Sequence, residues 1–116
     1  MIYDELDVYK ETYSLLLRTY RDMGNLPRDL KYGHLCDMRE DLYEILALIY
    51  DANSTKDKIP YIKRARRLVT NVKIRLRILR DLGAISHGLH VELSACIVNI
   101  SRQLSSWEKY VNKSCR

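Results

Sequence analysis

The side chains of this chain whose type and spacing could do chemistry are mostly cationic. The stretch YIKRARRLVTNVKIRLRILR, residues 61–80, holds eight basic side chains, six of them arginine, and no acidic one. Arginine presents a planar fork that meets phosphate through two bonds and also stacks on bases, so the composition points toward phosphate more than toward a simple counter-ion role. Such crowding is unfavourable by itself. Lys63/Arg67 and Lys73/Arg77 are four apart; Lys63/Arg66, Arg64/Arg67 and Arg77/Arg80 are three apart. At about 0.2–0.5 kcal/mol per like-charged pair, the five together cost about 1–2.5 kcal/mol. That is appreciable against a total stability of roughly 5–15 kcal/mol. Two things could offset it: an anionic partner, or acidic neighbours within the chain. Asp37, Glu40, Asp41, Glu44 and Asp51 are the available internal counter-ions. Exposed pairs contribute only about 0–1 kcal/mol each, so a residual positive field is expected.

Other reactive types are sparse. His87 and His90 sit three apart and could share a metal, but as first-turn residues of a helix they need no such role. His34 and Cys36 lack a second ligand pair. Cys36, Cys96 and Cys115 are widely spaced, form no CxxC and pair with no histidine in a way that suggests a nucleophile. No phosphate loop, glycine-rich fingerprint, zinc-finger spacing or ExxH motif occurs. The expectation is a protein that is not an enzyme and needs no cofactor or metal. Nine tyrosines accompany no phenylalanine. Tyr43 and Tyr50 share one face of their segment, where they could stack on bases or line a subunit contact.

Charge is strongly localised. Residues 1–55 hold six Lys/Arg against eleven Asp/Glu, residues 56–80 ten against one, and residues 81–116 four against three. An asymmetry of this kind indicates an anionic partner better than a uniform net charge of +5 would. The N-terminal MIYDELDVYK is acidic and amphipathic, unlike a signal peptide. The longest apolar run, ILALIY at 45–50, is too short to cross a bilayer. A reduced, cytoplasmic, soluble protein that engages no membrane is expected.

Four amphipathic segments must position these residues. Leu6, Tyr9, Tyr13, Leu16, Tyr20 and Met23 recur at heptad-like steps from about Tyr3 to Met23, which means helix. Gly24 and Pro27 end that segment. Leu35, Met38, Leu42, Ile45 and Ile49 repeat the spacing between about His34 and Ala52, before ANSTKDK breaks it. The third segment runs from about Pro60 to Leu82, with proline in the first turn and Gly83 just past the end. Ser86 is a good N-cap for the fourth, where Leu89, Leu93, Cys96, Ile97, Ile100, Leu104, Trp107 and Val111 form one stripe. No segment alternates with period two. The predicted fold is all-α, a single domain over 1–116 forming an antiparallel up-and-down four-helix bundle, with 24–33 as its longest loop.

At about 100° per residue, Tyr61, Ala65, Leu68, Val69, Val72, Leu76 and Leu79 form the core stripe of the third segment. Arg66, Lys73, Arg77 and Arg80 lie on one flank, with Lys63 just beyond and Arg67 paired to it; Arg64 and Arg75 lie on the other. Ile74, Ile78 and Leu82 form a second apolar row nearly opposite the core, which suggests a subunit contact or a wider core. The candidate anion surface is Lys63, Arg66, Arg67, Lys73, Arg77 and Arg80. The candidate oligomer contact is Ile74, Ile78, Leu82, Tyr43 and Tyr50.

Four stretches in order, LPRDLKYG (26–33), IYDANSTKDKIPYI (49–62), VKIRLRILRDLGAIS (72–86) and QLSSWEK (103–109), resemble the four-helix proteins that include the accessory variability determinants of diversity-generating retroelements. The wider group includes proteins encoded by intervening sequences of bacterial 23S ribosomal RNA genes. The resemblance covers nearly the whole chain; Ser105 and Ser106 replace the small glycines expected before the tryptophan. It implies a four-helix protomer assembling into a homopentameric barrel that binds the element's reverse transcriptase and its template RNA, and supports error-prone cDNA synthesis without being catalytic. It also implies that Lys73 and Arg77 lie at basic positions used for partner binding. The alternatives are a ribosome- or rRNA-associated intervening-sequence protein and a purely structural self-assembling bundle.

Overall fold

Helix ends are where the local chemistry of this chain is plainest. In a computed structural model, which describes residues 6–114, Pro60 sits in the first turn of its helix as expected. Gly83 adopts φ 71°, a left-handed conformation that favours glycine. There Gly83 N donates to Arg80 O and Ala84 N to Leu79 O, each at 2.9 Å, which closes the helix end. Ser86 Oγ accepts from Leu89 N at 3.0 Å and opens the next helix. Between the second and third helices, Lys58 Nζ donates to Ala52 O at 2.8 Å and Thr55 O at 2.7 Å, occupying carbonyls that the helix end leaves free.

Four long helices result: α1 (Asp7–Asp22), α2 (Cys36–Ser54), α3 (Ile59–Asp81) and α4 (His87–Ser114). No strand occurs among the described residues. Tyr3 and Cys115, which entered the sequence reading, lie outside them. α1 packs on α2, α2 on α3, α3 on α4 and α4 on α1, a ring compatible with a helical bundle. The body measures 48 × 20 × 18 Å. Met38, Leu42, Ile45, Val72, Leu93 and Ile100 are among the side chains fully buried along its axis. No described helix is long and apolar enough to cross a membrane.

The structure departs from the sequence reading in three places. The predicted loop 24–33 is largely helical: a short turn, Arg28–Leu30, runs through a π-helical turn, Lys31–Leu35, directly into α2. Pro27 begins this helix rather than merely ending the previous one, since its missing N–H costs nothing at a helix start.

The core face of α1 is also rotated. Val8, Thr12, Leu15, Thr19 and Met23 are buried, while Tyr13 and Tyr20 are exposed and Tyr9 and Leu16 only half-buried. The threonines tolerate burial because their hydroxyls donate to backbone carbonyls of their own helix, Thr12 to Val8 and Thr19 to Leu16, each at 2.7 Å. A tyrosine hydroxyl cannot reach back in this way and does better near water. Third, in α3 Tyr61 is half-buried and Ile62 is the fully buried neighbour.

Candidate nucleic-acid interface

α3 buries Ala65, Leu68, Val69, Val72, Leu76 and Leu79, so its basic residues must emerge on the flanks and the outer face. The two flanks meet different neighbours. On the α2 side, Arg64 Nη2 lies 2.7 Å from Glu44 Oε1. Arg75 is the most enclosed cation of the helix; it reaches Asp37 and Asp41, each at 3.4 Å, and His34 Nδ1 at 3.2 Å. Burial pushes the Asp41 carboxyl above the usual carboxylate range, against the pull of Arg75's charge and hydrogen bond. The acidic helix therefore does take up part of the basic one, through three of the five carboxylates expected to do so. Glu40 and Asp51 form no ion pair among the described residues.

On the α4 side, Arg66 Nη1 lies 3.2 Å from both carboxylate oxygens of Glu108. At the C-terminal end of α3, Asp81 is shared. Arg80 contacts its Oδ1 at 3.0 Å, and Arg77, 72% exposed, approaches its Oδ2 at 3.8 Å. Burial, with Arg80 nearby, lowers the adjacent His90 imidazole's pKa. Lys63, Arg67 and Lys73 are exposed and have no carboxylate within ion-pair distance among the described residues.

Of the eight cations in 61–80, five are thus paired with carboxylates and three are not, among the described residues. The paired ones vary in hold: exposed or distant contacts such as Arg77–Asp81 contribute little and leave the cation available. The candidate set spans Lys63 to Arg80, about 25 Å of helix at about 1.5 Å per residue. Lys63, Arg66 and Arg67 come together in a cleft of about 480 Å³ with Thr70, Ser101 and Glu108. Lys73, Arg77 and Arg80 follow along the helix.

The candidate oligomer contact is also split. Ile74 and Leu82 are 51% and 62% exposed, whereas Ile78 is half-buried. Tyr43 and Tyr50 are exposed on α2, where they join Tyr9, Tyr13, Leu17 and Tyr20 of α1 in an apolar groove of about 500 Å³. This aromatic groove was missed in the sequence because three of its tyrosines matched a core seam. The usable signal was the competing Val8, Thr12, Leu15, Thr19, Met23 series, concealed by counting threonine as polar. Arg39 holds Tyr20 in place: its guanidinium lies 3.9 Å from the Tyr20 ring centroid and donates to Thr19 O at 2.9 Å.

The described residues contain no group of three or more His, Cys, Asp or Glu that could hold a metal. His87 and His90 share no ligand set, Cys36 is exposed and Cys96 packs half-buried against the core. No family model and no curated protein matches the chain.

Proposed function

We propose that this protein is a non-catalytic, nucleic-acid-binding accessory subunit. In this reading it is cytoplasmic and built as an antiparallel up-and-down bundle. It assembles into a homopentamer and serves the reverse transcriptase and template RNA of a diversity-generating retroelement. The antiparallel arrangement is supported by contacts in which rising residue numbers on one helix meet falling numbers on the next. Arg64 meets Glu44 and Arg75 meets Asp37 and Asp41; Arg39 near the start of α2 meets Thr19 near the end of α1. The retroelement assignment rests on the resemblance of the four stretches.

One observation carries the nucleic-acid reading: α3 presents Lys63, Arg67 and Lys73 outward with no carboxylate among the described residues to neutralise them, alongside the weakly held Arg77. Phosphates would offset the repulsion that the internal ion pairs leave. The test is fluorescence anisotropy with single-stranded RNA. Lys73→Ala combined with Arg77→Ala should weaken binding while helical circular dichroism stays unchanged; binding equal to wild type would remove these two from the contact. A reverse-transcriptase reading frame beside this one, with a near-repeat pair differing at adenines, would support the retroelement assignment.

A second reading, a bundle whose charged faces serve only self-assembly, draws on the aromatic groove and on exposed Ile74 and Leu82. Light scattering with and without RNA separates the two. Salt-sensitive assembly that retains no RNA favours the structural reading.

A further inference from the structure

The cleft between α3 and α4 gathers three cations of the basic face around one partly buried carboxylate. Three cations, Lys63, Arg66 and Arg67, and two hydroxyl residues, Thr70 and Ser101, surround Glu108. Glu108 is the fixed partner, with its side chain 15% exposed against 42% for Arg66. Arg66 approaches it through a single nitrogen, Nη1, shared between both carboxylate oxygens at 3.2 Å. That is weaker than the fork arrangement in which two guanidinium nitrogens each meet their own oxygen. The guanidinium is therefore held, but not held hard, beside two cations that no carboxylate among the described residues neutralises.

We infer that this cleft seats one phosphodiester of a bound strand, and that Glu108 competes with that phosphate for Arg66. The inference rests on the nucleic-acid reading above and adds a specificity-setting residue to it. Three features favour a phosphate there over the carboxylate alone. Lys63 and Arg67 add attraction that Glu108 does not use. The Ser101 hydroxyl can donate to a further oxygen, whereas the Thr70 hydroxyl already donates to Arg66 O at 3.3 Å. The long side chain of Arg66 can swing toward the mouth of the cleft while the more buried Glu108 stays behind. The effect of Glu108 is to lower the affinity of the cleft for any anion, so that binding depends on further phosphates reaching Lys73 and Arg77.

The test uses the full chain and a fluorescein-labelled, mixed-sequence single-stranded RNA of about 20 nucleotides, titrated between about 50 and 200 mM salt. Glu108→Gln is expected to bind about two- to fivefold tighter, the range an exposed-to-intermediate ion pair can release. Its salt slope should steepen by up to about 0.7 log units per log salt, as the one phosphate that Glu108 partly displaces comes to be held fully. Adding Arg66→Ala to Glu108→Gln should abolish both gains. Glu92→Gln removes the same charge from α4 at a site where the carboxylate faces Arg18 instead, and should give no gain. Glu108→Ala serves as a second variant that leaves no amide to hold Arg66, and circular dichroism checks that each variant folds. A gain that Arg66→Ala cancels and Glu92→Gln does not reproduce supports the inference. No gain, or an equal gain from Glu92→Gln, overturns it while wild-type binding leaves the broader reading standing. Absence of binding by the wild-type protein itself overturns that reading, and this inference with it.

Discussion

Replacing Lys63, Arg67 and Lys73 together by alanine should remove most of the salt dependence of RNA binding. The three were chosen by geometry: they are the cations of α3 that no carboxylate among the described residues approaches, whereas Arg64 and Arg75 on the same helix are held by Glu44, Asp37 and Asp41. Each phosphate neutralised on a single strand contributes about 0.7 log units of affinity per log unit of salt. Lys63 and Arg67 share the one phosphate of the α3–α4 cleft and Lys73 meets another, so two contacts give a slope contribution of about 1.4. Between about 50 and 200 mM salt, that corresponds to a wild-type loss of about sevenfold through these residues alone. The triple variant should therefore start weaker at low salt and lose much less as salt rises. The companion variant, Arg64→Ala with Arg75→Ala, removes two charges from the same helix but no free cation, so its slope should match wild type. Anisotropy across a salt series measures both slopes, and circular dichroism reports whether the helices persist. If the companion variant flattens the slope as much per charge removed as the triple variant does, the overall field governs binding and the distinction between held and free cations is wrong.

Two further outcomes are expected. Arg75→Ala should destabilise the fold by about 1–3 kcal/mol by leaving a partly buried carboxylate unpaired. Asp41 already has a raised pKa, so the folded state binds its proton more tightly than the unfolded chain, and stability falls as pH rises through that raised value. Arg75 supplies the influences that lower it, so the loss should be larger above that raised value, where Asp41 is charged, than below it, where the carboxyl is protonated. Urea melts on either side of the transition measure this, and equal losses would remove the assigned role. Ile74→Lys with Leu82→Lys, both at exposed positions, should leave the fold's stability within about 0.5 kcal/mol while lowering the mass seen by light scattering. An unchanged mass would exclude this row from the assembly contact.

Much of this architecture was legible because helix punctuation is local. Pro60, Gly83 and Ser86 act within a few residues of where they stand, so the ends of α3 and the start of α4 could be read directly. The division of the α3 cations into two flanks was legible as well, since it depends only on helical period, and the contacts of Arg64 and Arg75 with α2 agree with it. Which cations stay unpaired was not legible. That depends on which acidic side chain a neighbouring helix places opposite, as Glu108 does for Arg66 across 42 residues of sequence. The face of α1 misled because two series of similar period compete in it, and self-satisfied threonines let the less hydrophobic one win the interior. Lys58 entered the sequence count as part of the basic run, yet its ammonium is spent on the carbonyls at the end of α2.

The π-helical turn at Lys31–Leu35 works as a vernier. A wide turn of this kind accommodates one more residue than an α-helical turn of similar rise. Deleting a single residue there would leave α2 seated and swing everything upstream by about 100°. Leu26, which reaches the interior just before Pro27, would then face solvent, and α1 would arrive at the wrong angle. The angle at which the first helix joins the other three is thus set by the number of residues in this turn more than by their identity.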